Sequence, residues 1–445
     1  MDNSQLLFCG SSPAFLKEEL TKFSNKANGG VAFRIPSIIN AGGTLIAAID
    51  RASSGADWGY IETAIRRSED GGRTWSDLEV IAAPPARETR ISADCYSSGF
   101  FIDPCMAVAP NGDVIMLVDF WPECKGLHKP SILDKKKAPY AEIDGKTLSV
   151  LYDENDKPYY VNEDGGVLDS DKNATDYRVE GLGYLYENDE YVGNIHLYGD
   201  TGANEMGVEL TYGAPLKSPK RCYVYMIKSS DKGKTWSEPK DITGMFLKES
   251  DGWFLGVAPG IGLTTHTGRI IMPLYADGKG TVAIYSDDNG ETWQRTSDQF
   301  YSENIGEWQL IEAPDNTLFA FGRQKKYGKT PVSISRNNGN NWLKVKKTKI
   351  YAPTCQKSVI AIGDHIFCSH ASERKRANGM LSIGRFSDKK SYCDRIEWIS
   401  HKPINEGFFA YSCLVQIDED TIGVMYESQP SSYLEFKTYK ISELL

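Results

Sequence analysis

The chain has 445 residues, of which 40% are hydrophobic and 25% charged, the composition of an ordinary globular protein. No window holds 18 consecutive apolar residues, which excludes a transmembrane helix. The formal net charge of −10 argues against nucleic acid or an anionic membrane as a partner, although a local field can still attract a small anionic substrate.

The N-terminal nine residues lack a basic segment followed by a long apolar core, so no secretory signal is predicted. Nine cysteines are scattered without any CxxC pair, which favours reduced thiols over a disulfide framework. We therefore expect a cytoplasmic protein, or a secreted one if a signal peptide preceded this sequence. Long helical periodicity is nearly absent, and residues 14–23 are the best candidate for a short surface helix.

A turn motif, Ser-x-Asp-x-Gly-x-Thr-Trp, recurs along the chain. It occupies residues 68–75, 229–236 and 286–293, with a degenerate copy at 335–342. Asp and Ser side chains bind their own backbone in turns, Gly supplies a positive φ, and Trp buries a large ring. Each copy therefore predicts a hairpin turn with a buried anchor, and we assign these copies to stability rather than to catalysis.

A second repeat predicts the number of structural units. A turn residue leads into a β-rich strand six times, at Gly43, Gly112, Gly268, Asn316, Gly363 and Asp420. Most neighbours lie about 50–70 residues apart, the length of one four-stranded propeller blade, but the interval from Gly112 to Gly268 is roughly 100 residues longer. The predicted fold is all-β: a six-bladed β-propeller of residues 1–124 and 220–445, with a small inserted β subdomain at 125–219.

The segment Phe33-Arg34-Ile35-Pro36 precedes these repeats. An Arg-Ile-Pro motif ahead of several turn boxes resembles the bacterial-type sialidases (neuraminidases) of glycoside hydrolase family 33, and the resemblance covers nearly the whole chain. Sialosides carry a carboxylate on the anomeric carbon, which arginine forks bind well. That carboxylate would repel an acidic nucleophile, and the family uses a tyrosine, whose pKa near ~10 requires a neighbouring base.

The resemblance implies a role for each matching residue. The arginines that hold the substrate carboxylate are expected to be Arg34, Arg323 and Arg376. Glu307 is expected to take the proton from the nucleophile Tyr411, and Asp57 to act as the acid/base on a mobile loop. Arg51 is expected to support that loop, and Asp103 to approach O4 and the N-acetyl side of the sugar.

Rival residues remain open at two of these places. Glu303 and Glu312 compete with Glu307, and Arg374 competes with Arg376 as the third arginine. Tyr426 and Glu427, at the end of the sixth repeated strand, are interpreted as packing and rim residues.

The resemblance implies an exo-α-sialidase that hydrolyses terminal sialic acid with retention, through a covalent sialosyl-tyrosine. The expected partners are sialylated oligosaccharides, glycoproteins or glycolipids, without nucleic acid or membrane; we expect a monomer that needs no cofactor and no metal. The alternatives are an intramolecular trans-sialidase that releases a 2,7-anhydro sugar, an inactive sialoglycan-binding propeller, and a hydrolase of a related keto sugar acid. No residue stands out as an aromatic that crowds the pocket, so hydrolysis is predicted over transfer.

Overall fold

The computed structural model describes residues 4–9, 32–53, 55–86, 98–198, 201–203, 209–211, 213–276, 280–296, 305–389, 391, 394–430 and 433–445. The helix predicted at 14–23 and the rival Glu303 lie outside these ranges. None of the helices found within them is long and apolar enough to cross a bilayer.

The first part of the chain builds one peripheral strand and two blades. Strand β1 spans Gln5–Cys9. Blade 1 contains β2 (Ala32–Ala41), β3 (Thr44–Ala52), β4 (Ile61–Ser68) and β5 (Glu79–Ala82). Blade 2 opens with β6 (Phe100–Val108) and β7 (Val114–Trp121). Every residue of β7 is buried, because this central strand is covered on both faces.

The insertion begins after β7 with two 3-10 helices, Gly126–His128 and Pro130–Ile132. A seven-stranded antiparallel meander follows. Its strands are β8 (Tyr140–Ile143), β9 (Lys146–Tyr152), β10 (Pro158–Val161), β11 (Gly166–Leu168), β12 (Ala174–Glu180), β13 (Tyr184–Glu187) and β14 (Glu190–Asn194). A separate two-stranded sheet, β15 (Thr201–Ala203) and β16 (Glu209–Thr211), completes the insertion. The boundaries 125 and 219 stay a prediction.

The chain then returns to blade 2. Strand β17 (Tyr223–Ser229) pairs with β7 from Tyr223 opposite Phe120 to Ser229 opposite Val114, and β18 (Lys240–Asp241) completes the edge. The 3-10 helices Thr243–Met245 and Glu249–Asp251 follow. The insertion therefore leaves and re-enters the propeller between two paired strands.

The remaining blades follow in chain order. Blade 3 contains β19 (Gly256–Val257), β21 (Leu263–Thr264), β22 (Ile270–Ala276), β23 (Gly280–Ser286) and β24 (Gln294–Arg295), whereas β20 (Gly260–Ile261) pairs with β6 of blade 2. Blade 4 contains β25 (Ile305–Glu312), β26 (Leu318–Gln324), β27 (Gly328–Ser335) and β28 (Lys346–Ala352). Blade 5 contains β29 (Ser358–Ile362), β30 (His365–Ala371), β31 (Ala377–Phe386) and β32 (Ile396–Phe408).

Blade 6 closes the ring with both ends of the chain. It contains β33 (Ser412–Asp418), β34 (Thr421–Gln429) and β35 (Tyr433–Lys440), and the short helix α1 (Ile441–Leu444) follows. Its outer strand is β1, which pairs with β35 and covers the edge of that strand. Within the described ranges these sheets make six blades, and the predicted six-bladed propeller is confirmed.

The repeated turn motifs lie between the two outermost strands of blades 1 to 4. In the first copy Asp70 Oδ1 accepts the backbone N–H of Thr74 at 2.9 Å, and Ser68 Oγ accepts that of Gly72 at 2.8 Å. In the second copy Gly233 has a φ of 78°, and a Cβ there would lie 2.9 Å from Ile46 Cδ1 of blade 1. The motif therefore closes its own turn and packs against the preceding blade, at the opposite end of the strands from the pocket described below.

Candidate active site

A polar cavity opens at one end of the propeller, where the inner strands of several blades begin. Its volume is about 340 Å³, within the range of small-molecule sites. We call it the pocket. Its lining includes seven of the eight residues predicted from the sequence: Arg34, Asp57, Asp103, Glu307, Arg323, Arg376 and Tyr411.

The inner strands of three blades each have a β-bulge at the pocket. The register between the first and second strands shifts by one residue between Arg34 and Ser37, between Ile102 and Cys105, and between Ile305 and Trp308. Each shift is a β-bulge, which bends the strand and re-aims its side chains. Two of the bulges contain a residue with positive φ, Ile35 at 57° and Asp103 at 66°, each followed by proline.

Tyr411, Glu307 and Arg323 form a closed hydrogen-bonded group. The Tyr411 hydroxyl donates to Glu307 Oε1 at 2.6 Å, and Arg323 Nη1 donates to Glu307 Oε2 at 2.7 Å. The same Arg323 nitrogen donates to the Tyr411 oxygen at 2.7 Å. A phenol is thus held between a base that can remove its proton and a cation that can stabilise the resulting phenolate.

Burial is the main reason why the pKa of Tyr411 lies well above its usual value; Arg323 lowers it, and the nearby Glu307 raises it. The phenol is therefore protonated in the free protein. The pKa of Arg323 is also raised, because Glu307 and Tyr411 outweigh the opposing effect of burial. This arginine therefore stays cationic at physiological pH.

Arg34 lies between two carboxylates. Its Nη1 donates to Asp57 Oδ1, and its Nε lies 3.9 Å from Glu427 Oε1. Glu427 also accepts the backbone N–H of Ile35 at 3.0 Å, inside the bulge. Burial alone would lower the pKa of Arg34, but Glu427 and Asp57 raise it well above its usual value. The sequence-based interpretation of Glu427 as a rim residue is wrong, because Glu427 is 1% exposed and helps to orient Arg34.

Asp57 has a different partner on each carboxylate oxygen. Oδ1 faces Arg34, and Oδ2 lies 3.2 Å from His128 Nε2 at the start of the insertion. Burial by itself would raise the pKa of Asp57, but His128 and Arg34 together hold it well below its usual value. In the free protein Asp57 is therefore a carboxylate.

The two candidate arginines of blade 5 occupy different surroundings. Arg376 lines the pocket, with its guanidinium carbon 5.4 Å from the centroid of the Tyr411 ring. Arg374 is exposed, and its guanidinium carbon lies 5.2 Å above the Tyr327 ring, outside the pocket lining. Of the two, the structure brings Arg376 to the other candidate residues.

Arg51 is the predicted residue that does not line the pocket. It is 4% exposed, and its Nη1 lies 3.2 Å from Glu62 Oε2. The hydroxyl of Tyr60, on the loop that carries Asp57, donates to the other oxygen of Glu62 at 2.8 Å. Arg51 thus lies behind the loop that carries Asp57, outside the pocket lining. Glu312, a rival of Glu307, binds His266 at 2.6 Å and is not among the lining residues.

A group of buried carboxyls lies on the blade 2 side of the pocket. Asp103 and Asp119 both line it, and Asp50 lies beneath, where its Oδ2 accepts the Asp103 N–H at 3.5 Å. Burial raises the pKa of Asp103 well above its usual value, and Asp50 and Asp119 raise it further. A protonated Asp103 can donate a hydrogen bond to a sugar hydroxyl. Within the described ranges, no group of three or more His, Cys, Asp or Glu side chains is arranged to hold a metal ion.

Some functional neighbours were missed in the sequence. Glu427 had a signal, because it ends the sixth repeated strand just as Arg51 and Arg323 end the first and fourth. His128 had none, since nothing in its local sequence points to Asp57. The lining also contains Trp121, Phe254 and Tyr275, whereas no aromatic that crowds the pocket was identified from the sequence.

The chain is similar in sequence to a known family and to curated proteins. A family model described as the BNR repeat-like domain matches residues 185–424. An anhydrosialidase of Macrobdella decora is 27% identical over 93% of this chain and 61% of its own length. Sialidase B of Streptococcus pneumoniae is 24% identical over 90% of this chain and 62% of its own length. The chain thus spans about three fifths of the length of these curated relatives.

Solved structures resemble the chain over its full length. A leech intramolecular trans-sialidase, complexed with 2,7-anhydro-Neu5Ac, has a TM-score of 0.81 at 23% identity and covers 100% of this chain and 71% of its own. The intramolecular trans-sialidase of Ruminococcus gnavus, complexed with oseltamivir carboxylate, has a TM-score of 0.79 at 25% identity and covers 99% of this chain and 98% of its own. The BNR repeat-like model matches more than half of the chain, which therefore belongs to that family, and its resemblance to bacterial-type sialidases is confirmed.

Proposed function

We propose that this chain is an exo-α-sialidase that hydrolyses terminal sialic acid from oligosaccharides, glycoproteins or glycolipids with retention of configuration. The observation that carries the proposal is the hydrogen-bonded group of Tyr411, Glu307 and Arg323, in a pocket that also holds two further arginines. Relatives named sialidases support the same activity.

The arginines supply recognition of the substrate carboxylate. Arg34, Arg323 and Arg376 all line the pocket, and a guanidinium presents paired donors that match the two oxygens of a carboxylate. Arg323 and Arg376 both have their guanidinium carbon within 6 Å of the Tyr411 ring centroid, at 5.9 Å and 5.4 Å. A carboxylate bound by them would place the anomeric carbon next to the Tyr411 hydroxyl.

The first chemical step forms a bond between Tyr411 Oη and the anomeric carbon. Glu307 takes the phenolic proton through the 2.6 Å hydrogen bond as the bond forms, so that no free phenolate is required in the resting protein. The bond from the anomeric carbon to the aglycone oxygen breaks, and that oxygen takes a proton from Asp57. The products of this step are a sialosyl-tyrosine and the free aglycone alcohol.

Substrate binding itself prepares Asp57 for this role. In the free protein Asp57 shares Arg34 with Glu427 and is ionised. A substrate carboxylate that takes over Arg34 removes one of the two partners that lower the pKa of Asp57. Asp57 can then hold a proton for the leaving oxygen and, in the second step, accept one from the attacking water.

The second step releases the sugar when water attacks the anomeric carbon, and the departing Tyr411 oxygen takes back its proton from Glu307. Two inversions give net retention, so the first product is the α-anomer of free sialic acid. Attack by the sugar's own O7 would give the 2,7-anhydro product instead. A binding protein without activity would give neither product.

An NMR time course with 3′-sialyllactose distinguishes these outcomes. The proposal predicts early signals of α-sialic acid that mutarotate to the β-anomer. If 2,7-anhydro sugar appeared first, the reaction would be intramolecular transfer and not hydrolysis. If the substrate stayed unchanged at micromolar protein concentration while sialic acid bound, the chain would be a binding protein without catalytic activity.

A further inference from the structure

The connection that leads into the inserted sheet reaches the pocket. The 3-10 helix Gly126–His128 begins five residues after β7, and both Leu127 and His128 line the pocket. The insertion therefore contributes residues to the site as well as an appended sheet.

His128 contacts the acid/base loop in two ways. Its Nε2 lies 3.2 Å from Asp57 Oδ2, and its ring packs on Trp58 with the centroids 4.6 Å apart. Lys125 of the same connection lies over Trp58, with Nζ 5.1 Å from the ring centroid. Two consecutive loop residues are thus held by one short segment.

The proposed reaction makes the histidine contact matter most after substrate has bound. Asp57 is 41% exposed on its loop, and in the free protein Arg34 and His128 each hold one of its oxygens. Once the substrate carboxylate engages Arg34, His128 is the one of these two residues that still contacts Asp57. A carboxylic acid has to lie within hydrogen-bond reach of the leaving oxygen to protonate it, so its position at that stage decides its efficiency.

We propose that His128 is a positioning residue for Asp57, so that the connection to the inserted sheet forms part of the acid/base apparatus. This inference rests on the proposed sialidase function, because it assigns a task to a neighbour of the general acid of that reaction. His128 touches Asp57 and does not itself transfer a proton to substrate.

Leaving-group dependence separates this role from a merely structural one. An aryl sialoside such as the 4-methylumbelliferyl compound expels a stable phenolate and needs little protonation, whereas 3′-sialyllactose expels a sugar alkoxide unless an acid protonates it. We expect His128→Ala to lower kcat/KM for 3′-sialyllactose about 10- to 100-fold, part of the contribution of a general acid, and to leave the aryl substrate within about threefold. His128→Gln keeps an N–H donor and should lie between Ala and wild type.

His266 provides the matched control. It is 47% exposed and pairs with the carboxylate of Glu312, but it does not line the pocket. His266→Ala should leave both substrates unchanged. If His128→Ala does not fold, as judged by thermal denaturation, the substrate ratio of His128→Gln decides instead.

Equal losses for the two substrates, or no loss for 3′-sialyllactose, would overturn the positioning role while leaving the sialidase assignment intact. Absence of turnover of both sialosides by the wild-type protein would instead overturn the proposed function. The two failures are therefore distinguishable in one set of assays.

Discussion

Replacing Tyr411 by phenylalanine should separate catalysis from folding. The change removes one hydroxyl from a side chain that is 5% exposed. That hydroxyl makes two hydrogen bonds, but their partners, Glu307 and Arg323, remain bonded to each other at 2.7 Å. No buried charge loses its counterion, so the free energy of unfolding should fall by about 1 kcal/mol, well short of the roughly 3–5 kcal/mol of a broken buried ion pair.

Turnover should respond far more strongly. Without a nucleophile the covalent step cannot occur, and kcat should fall by about 10³-fold or more. Release of 4-methylumbelliferone measures kcat, urea denaturation measures stability, and calorimetry with 2-deoxy-2,3-didehydro-sialic acid measures binding, which should persist because the arginines are unchanged.

Tyr426→Phe is the matched control. Tyr426 is 1% exposed, and its hydroxyl donates to Glu435 at 2.8 Å, away from the pocket lining. This variant should lose a similar amount of stability and keep normal turnover. A Tyr411→Phe protein with near-normal kcat would refute the assignment of the nucleophile, and so would equal losses of activity in both variants.

Three further predictions follow from the same geometry. Arg376→Ala should weaken binding of the sialic acid analogue by about 2–5 kcal/mol, the range for stripping a partner from a charge pair, whereas Arg374→Ala should change it little; calorimetry on both variants would contradict this if their effects were equal. Against the effect of burial, His128 and Arg34 lower the pKa of Asp57; a carboxylate ligand on Arg34 should raise that pKa, so binding should take up protons and tighten as pH falls below neutral. Calorimetry in buffers of different ionisation enthalpy measures this proton uptake, and Asp57→Asn should abolish it. No uptake by the wild-type protein would show that Arg34 stays paired with Asp57 and would contradict the prediction. Burial lowers the pKa of Lys357 from 10.5 to about 8. Between these pH values the unfolded chain binds one proton more than the folded chain, so the free energy of unfolding should rise by up to about 3 kcal/mol from pH 8 to pH 10.5. Urea titrations measure this rise, and Lys357→Met should flatten it.

The repeats made the fold predictable from the sequence. Each of the regularly spaced turns belongs to one blade. The long interval after Gly112 is the place where the seven-stranded meander is inserted into blade 2. The closure of blade 6 by β1 was not predicted, because the pairing of Gln5 with Phe436 joins segments that are 431 residues apart and have no shared motif.

The site was predictable only where a motif or a strand end carried it. Arg34 lies in a motif, and Arg323 ends a repeated strand, but the bulge that aims Arg34 requires a positive φ at Ile35, which a β-branched residue disfavours. The contact of Glu427 with Ile35 spans 392 residues, and that of His128 with Asp57 joins the insertion to blade 1. Such contacts arise from the ring closure and from the path of the insertion, and no local pattern reports them.

Covalent trapping tests the central claim most directly. A 2,3-difluoro-sialic acid has a good leaving group at C2, and its C3 fluorine slows hydrolysis of the enzyme adduct by destabilising the oxocarbenium-like transition state. Peptide mapping by mass spectrometry after incubation should find one 3-fluorosialosyl group on Tyr411 and none in the Tyr411→Phe variant. An adduct on Glu307 instead, or none on Tyr411 in a protein that turns over sialosides, would contradict the tyrosine mechanism.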